Sequence, residues 1–321
     1  MTTVACAAGI DAGKTYLDVG IEPSGRRFRV DNAPDGIRRL VARLRREGPE
    51  RVVIEAIGPY ARPVTAALGA AGFAVGVVNP RRIKGYREAE GKRAKTDRLD
   101  AGLIARFALT MREPPRPLPS AEDQALKDLA ARRRQLVEMI AMEKTRLKQA
   151  FEPMIAASHR TAIAGLAAER KRIEAELERR LAGNAALSRR YELLVSLPGF
   201  RPKVATTLII DLPELGGADR RAIASLAGLA PHPSQSGTAP GRNQIGGGRP
   251  CVRAALYMAS LAACRSDPRF RAAYQASRAE GKPAKVALIA MARKLLVIAN
   301  TLVRQDRPYD PGFAADPGDR G

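Results

Sequence analysis

The sequence predicts an α/β N-terminal domain, a helical coiled-coil arm and a mostly α-helical C-terminal domain. Three observations carry this reading. The first 110 residues alternate between period-2 and period-3.6 hydrophobic patterns. Four prolines, Pro114, Pro115, Pro117 and Pro119, then form a stiff break in which helix cannot continue. Beyond them the apolar residues recur at helical spacing, apart from a Gly/Ser/Pro-rich stretch over Pro231–Pro250.

In order, Val4–Ile10 reads as a buried strand, Leu17–Ile21 as a second and Arg26–Val30 as a third, joined by short turns. A helix over Pro34–Arg46, a strand over Arg51–Ala56, a helix over Tyr60–Ala71 and a strand over Ala74–Val78 follow. Helices over Arg81–Glu88 and Asp97–Thr110 end the domain. Three strands close together and then αβαβα is the element order of an RNase H-like domain, with a plain doubly wound sheet as the competing arrangement.

Ala121–Ala150 is one long charged helix. Leu126, Ile140 and Leu147 share one heptad position and Leu129 and Leu136 the other, with Arg133 and Glu143 interrupting the seam. After Pro153 a second helix over Thr161–Leu181 carries Leu166, Ile173 and Leu177 on one face. The pair forms either an antiparallel hairpin or a dimerising coiled coil. The third region opens with Leu197-Pro198-Gly199 and Lys203, which reads either as a helix-hairpin-helix that holds a phosphate on backbone amides or as an ordinary tight turn. Helices over Ile223–Ala227 and Val252–Ala263 flank the Gly-rich stretch. The expected domains are 1–113, 118–188 and 191–310, with a disordered tail over 311–321.

Composition narrows the function. The 321 residues carry 55 Lys and Arg against 33 Asp and Glu, a net charge of +22, which calls for a polyanionic partner. No stretch reads as a membrane span or a signal peptide. Three scattered cysteines, Cys6, Cys251 and Cys264, make neither a disulfide framework nor a zinc site and suit a reducing cytoplasm. The absence of Trp and 4% aromatic content argue against a binder built mainly on base stacking.

Asp11 ends the first strand and Glu55 ends the strand RVVIEA, while Asp97 and Asp100 sit i, i+3 at a helix start. Converging, these four carboxylates would hold two Mg²⁺ ions that clamp a phosphodiester. Each also has a plainer role: an N-cap and first-turn acid for Asp97 and Asp100, a turn for Asp11, an exposed strand end for Glu55. Asp18 reads as outward-facing. Lys92, Arg93 and Lys95 precede Asp97 as either nucleic-acid contacts or a solvated run. Arg242, Arg249 and Arg253, with Gly246–Gly248, would suit a phosphate, and Arg249 and Arg253 share a face if the helix has begun there. His159 reads as a surface residue.

The motifs GIDAGK, VVIEA, VVNPRRIKGYREAEGKRAKTDRLDA and GLAPHPSQSGTAPGRNQIGGGRPCVRAALY resemble the transposases of the insertion-sequence 110 family over roughly Val4 to Val303. The resemblance implies a RuvC-like domain with Asp11, Glu55, Asp97 and Asp100 as an acidic tetrad. It implies Ser236 as nucleophile, where Ser234 does not match the family pattern and His232 is not required by it. It further implies a noncoding bridge RNA as guide, donor and target DNA, a dimer that becomes a tetramer on DNA, and a nucleoid-associated cytoplasmic protein. Two rivals stand: a Holliday-junction-type nuclease using water, and a non-catalytic nucleic-acid scaffold. Intact acids at all four tetrad positions speak against the scaffold.

Overall fold

The apolar runs of the first domain are buried on both faces of one sheet. The computed structural model describes residues 5–55, 58–91, 97–111, 118–232 and 244–310, with backbone alone for 97–100, 232 and 244. The chain divides into two compact units, Met1–Ser120 and Ala121–Gly321. Strands β1 (Ala7–Ala12), β2 (Tyr16–Glu22), β3 (Arg26–Asp31), β4 (Arg51–Glu55) and β5 (Val75–Val78) form a sheet in the order β3-β2-β1-β4-β5. β1, β2 and β3 are an antiparallel meander, while β1, β4 and β5 run parallel. That mixture excludes the plain doubly wound sheet.

Helices α1 (Pro34–Glu47) and α2 (Arg62–Ala70) cover one face, where Ile10, Val19 and Ile54 meet Leu40, Leu44 and Leu68. Helices α3 (Pro80–Ala89) and α4 (Asp97–Thr110) cover the other, where Ala7, Val53 and Val78 meet Ile83, Ile104 and Phe107. Close approach on the second face comes from small residues. Gly9 and Gly20 are cross-strand partners, and α4 lies directly on them. A Cβ on Gly9 would sit 2.2 Å from the Ala105 nitrogen, and one on Gly20 would sit 2.8 Å from the Ala101 carbonyl. Both obstacles are backbone, so only a shift of the helix relieves them. Gly9→Ala is therefore expected to cost about 3 kcal/mol of stability, read as a lower urea midpoint for the N-terminal unit.

The second unit opens with an antiparallel helical hairpin, α5 (Ala121–Gln149) and α6 (Pro153–Ala182). Its two seam-breaking residues are paired across the hairpin: Arg133 donates to Glu174 at 2.8 Å, and Glu143 meets His159 at 2.7 Å. His159 is thus a paired hairpin residue and not a bare surface one. The second helix begins at Pro153, eight residues before the start that its apolar pattern predicts, because proline at the first helical position has no amide bond to lose. At its base the hairpin is continuous with the C-terminal core. Leu126, Ala130, Leu177 and Leu181 share one cluster with the helices that follow, and Arg134 bonds Asp211 at 2.7 Å.

Those helices are α7 (Ala185–Val195), α8 (Pro202–Asp211), α9 (Arg220–Leu226), α10 (Pro250–Ser266), α11 (Pro268–Ala279) and α12 (Ala284–Gln305). A two-residue strand pair, β6 (Pro231–His232) and β7 (Gln244–Ile245), precedes α10. Helix α12 corrects one sequence expectation, since its length and apolarity are those of a membrane span. In the fold it is the central core helix, with Leu288, Leu295, Ala299 and Leu302 buried. Its Asn300 is also buried, donating to the Ala218 carbonyl at 2.9 Å and accepting from the Gly216 amide at 2.7 Å.

Candidate active site

The register of β1 brings the acids of the N-terminal unit into one row. Asp11 faces Asp18 across β1 and β2, and Asp18 faces Arg29 across β2 and β3. On the other side Ile10 is in register with Ile54, so the next residues along the parallel pair are Asp11 and Glu55. Glu55 in turn is in register with Val78. The row Arg29, Asp18, Asp11, Glu55 therefore crosses four strands on the face that carries α4, two residues beyond the Gly9–Gly20 pair. It lies at the carboxyl ends of β1, β4 and β5, where open α/β sheets commonly bind ligands.

Helix α4 points its start at this row. Ala101 lies against Gly20, Ala105 against Gly9, and the Ala108 carbonyl accepts from Arg51, whose strand partner is Ala7. The helix thus crosses the sheet from β2 over β1 to β4, and Ala101, which follows its first turn Asp97–Asp100, lies beside Asp18 and Arg29 of the acidic row. The positive end of the helix dipole faces the acids there. Buried Arg51 fastens the other end, bonding the Ala108 and Met111 carbonyls at 3.1 and 2.6 Å.

Asp11 and Glu55 line a cavity of about 810 Å³ together with Lys14, Asp18, Arg29, Arg81, Lys84 and Arg87. Arg81, Lys84 and Arg87 recur every third residue on α3, so they share a face. Asn79 caps that helix, accepting from the Arg81 amide at 2.9 Å. Lys14 projects from the β1–β2 turn, which Asn32 braces by donating to the Gly13 and Tyr60 carbonyls at 2.8 and 3.0 Å. An acidic floor beneath a basic rim suits a phosphodiester approaching bound cations. Between α3 and α4, Tyr86 packs edge-on against Phe107 at 5.5 Å. Burial and a hydrogen bond to Glu90 push its phenol up to about 12, so that contact stays uncharged.

Asp18 does not face outward: it is 7% exposed and bound through both carboxylate oxygens to Arg29. Of Asp97 and Asp100 the backbone alone is described, as the first turn of α4. Among the described residues, no three Asp, Glu, His or Cys side chains gather as a metal cluster, and the Asp97 and Asp100 side chains are not among them. Ser236, Ser234, Arg242, Lys92, Arg93 and Lys95 lie outside the described residues.

In the second unit, Lys203 is exposed at the start of α8. The turn before it packs tightly, since Gly199 has φ 84° and a Cβ there would meet the Ala259 carbonyl at 2.3 Å. Arg201 and Arg265 line a cleft of about 520 Å³ beside this turn. Arg249 precedes α10 as its N-cap, so it does not share a helical face with Arg253. Arg249 bonds both oxygens of Glu214 at 2.5 and 2.7 Å, and Arg253 donates to the Gly247 carbonyl at 2.9 Å. These bonds hold the turn between β7 and α10. Burial is the main cause pushing the thiols of Cys6, Cys251 and Cys264 upward, which leaves none of them activated as a nucleophile.

Comparison with known proteins agrees with this layout. A transposase model of the IS110 type matches residues 8–155, and one described as Transposase IS116/IS110/IS902 family matches residues 191–275. The pilin gene-inverting protein of Moraxella bovis is 29% identical over 269 residues, 81% of this chain and 81% of that protein. An uncharacterized 42 kDa protein of insertion element IS900 from Mycobacterium paratuberculosis is 33% identical over 129 residues, 38% of this chain and 32% of the relative. An uncharacterized 43.6 kDa protein of insertion element IS110 from Streptomyces coelicolor is 30% identical over 125 residues, 38% of this chain and 31% of the relative. With both parts of the family's pattern present in order, the chain belongs to the IS110 family of transposases and is a DNA recombination enzyme.

Proposed function

We propose that this transposase is RNA-guided and cuts and rejoins DNA with a serine nucleophile assisted by divalent metal. The observation that carries the reading is the juxtaposition of Asp11 and Glu55 on neighbouring strand ends with a basic rim above, in a row of acids whose Asp18 end lies beside the start of α4. The strand order β3-β2-β1-β4-β5 supports a RuvC-like, RNase H-type domain. Hard carboxylate oxygens are the donors that Mg²⁺ prefers, so the residues fit the metal. Asp11 and Glu55, joined by Asp97 and Asp100, would hold it, and two bound ions would stabilise the charge on a phosphodiester during in-line displacement.

The chain's own residues do the rest. Lys14, Arg81 and Lys84 draw the strand to the acids and fix its backbone. The Ser236 hydroxyl attacks phosphorus and gives its proton to water, the bond to the 3′ oxygen breaks, and that oxygen takes a proton from water, giving a 5′-phosphoserine and a free 3′ hydroxyl. Attack by a new 3′ hydroxyl reverses the step, so bond energy is conserved through the exchange. Arg242, Arg249 and Arg253 are proposed to support this phosphate, and Lys92, Arg93, Lys95 and Lys203 to contact nucleic-acid backbone. A net charge of +22 suits a protein that holds a bridge RNA with donor and target DNA in the nucleoid, where base pairing reads sequence. Exposed apolar side chains at the hairpin tip, Phe151 at 99% and Met154 at 73%, support assembly into dimers and higher oligomers through the arm.

The test is reconstitution from purified protein, Mg²⁺, DNA duplexes and RNA transcribed from the sequence flanking the gene. Recombinant junctions are expected only when RNA and metal are both present. Replacing Lys14, Arg81 and Lys84 by Gln should flatten the salt dependence of DNA binding, with the log–log slope falling by roughly one for each phosphate no longer neutralised. Recombination by RNA-free protein would remove the guide from the reading.

A further inference from the structure

Asp11 has an acid on each side, and the protein treats the two differently. Asp18 and Asp11 are cross-strand partners, so their Cα atoms are roughly 4.5–5.5 Å apart. A cation at Asp11 has Glu55 on one flank and Asp18 on the other. Asp18, however, already has both oxygens engaged: Arg29 Nε donates to Oδ1 at 2.9 Å and Nη2 to Oδ2 at 2.8 Å. The guanidinium is held a second time over the Tyr16 ring, 5.1 Å from its centre. A bidentate pair of this kind is fixed in geometry as well as charge. Asp18 is also nearly buried, so without Arg29 its carboxylate would carry an uncompensated charge that a nearby cation could neutralise.

We propose that Arg29 is a positioning residue that keeps Asp18 out of the metal-binding set, confining divalent cations to the Asp11–Glu55 side of the row. This rests on the reading that Asp11 and Glu55 bind metal. The guanidinium occupies the place a further cation would take. The site thereby stays on the flank where α3 supplies its basic rim. An ordinary stabilising salt bridge would use the same bonds but would not govern cation affinity.

The experiment is Mn²⁺ binding to the full-length protein without nucleic acid, followed by electron paramagnetic resonance and calorimetry. Wild-type binding should weaken in Asp11→Asn and Glu55→Gln; no binding sensitive to those residues overturns the metal reading and this proposal together. Given such binding, Arg29→Gln should bind Mn²⁺ about tenfold more tightly, or gain a further ion, because one carboxylate about 6 Å away attracts a divalent ion by that much even in water-like surroundings. Adding Asp18→Asn to Arg29→Gln should remove the gain, and Arg29→Lys should stay near wild type. Should Arg29→Gln fail to fold, Asp18→Asn alone serves, since the unbalanced guanidinium should weaken binding about tenfold. Wild-type affinity and stoichiometry in folded Arg29→Gln and Asp18→Asn, with only melting temperatures lowered, would overturn the proposal while leaving the metal reading intact.

Discussion

Asp11→Asn, Glu55→Gln, Asp97→Asn and Asp100→Asn are each expected to lower DNA strand cleavage by at least about a hundredfold, the usual scale for removing one electrostatic interaction with a transition state. The substitutions keep shape and hydrogen-bonding capacity while removing the charge that a divalent cation needs. Asp11 and Glu55 sit at strand ends and line the cavity, so their loss does not open the core beneath them. The thermal midpoint of Asp11→Asn and Glu55→Gln should therefore move little. RNA and DNA affinity should also survive, because the rim cations that hold the backbone are untouched. Cleavage of a labelled duplex in Mg²⁺, alongside a melting curve, separates these effects. Wild-type cleavage by Asp11→Asn would end the assignment, whereas a parallel loss of cleavage and folding would make these acids structural. The same assay with Lys84→Gln should show the opposite pattern, weaker DNA binding with the rate at saturation preserved.

Much of this arrangement is legible in the sequence, and the exceptions have physical causes. Asp11 and Glu55 stand out because each closes an apolar run at a strand end, and the helix from Asp97 to Thr110 is found with the boundaries its pattern predicts. Asp18 is misread because a polar residue alternating with Leu17 and Val19 normally marks a solvent face. Here α4 covers that face, and Arg29, eleven residues on, supplies the compensating charge. Such compensation depends on strand pairing, which no local pattern announces. The basic rim escapes for a related reason. Lys92, Arg93 and Lys95 are conspicuous as a run, while Arg81, Lys84 and Arg87 align only once α3 is built and set beside Asp11. Arg249 is a case that spacing alone leaves open: it would share a face with Arg253 only in a helix already begun, and Pro250 starts the helix one residue later. Pro153 reads as a break because proline ends helices from within, yet at the first position it begins one.

Ser236→Ala is expected to abolish both the covalent protein–DNA adduct and the recombinant product, while the protein still assembles with RNA and DNA. The argument begins with energy. Recombination must keep the free energy of a broken phosphodiester until the new partner arrives, and a serine phosphate ester does so where hydrolysis cannot. The cysteines and His159 are poorly suited to replace it. All three cysteines have raised thiol pKa values through burial, and His159 is paired with Glu143 in the hairpin. Pro231 pairs with Ile245 and His232 with Gln244, so the stretch bearing Ser236 starts and ends at one short strand pair, beside the turn that Arg253 fastens to Gly247. Small Gly237 next to Ser236 permits close approach of a phosphate. Loss of one hydroxyl changes neither charge nor volume appreciably, so binding of RNA and DNA should be unaltered within error. Ser234→Ala, two residues away, should keep substantial activity and controls for damage to the segment. Reactions quenched in denaturant and digested for mass spectrometry should yield one DNA-linked peptide, modified at Ser236 in the wild type and missing from Ser236→Ala. A DNA link at Ser234 would move the nucleophile by two residues. Normal-rate cleavage by Ser236→Ala with no adduct at all would show that water is the nucleophile and that the tetrad works as a nuclease.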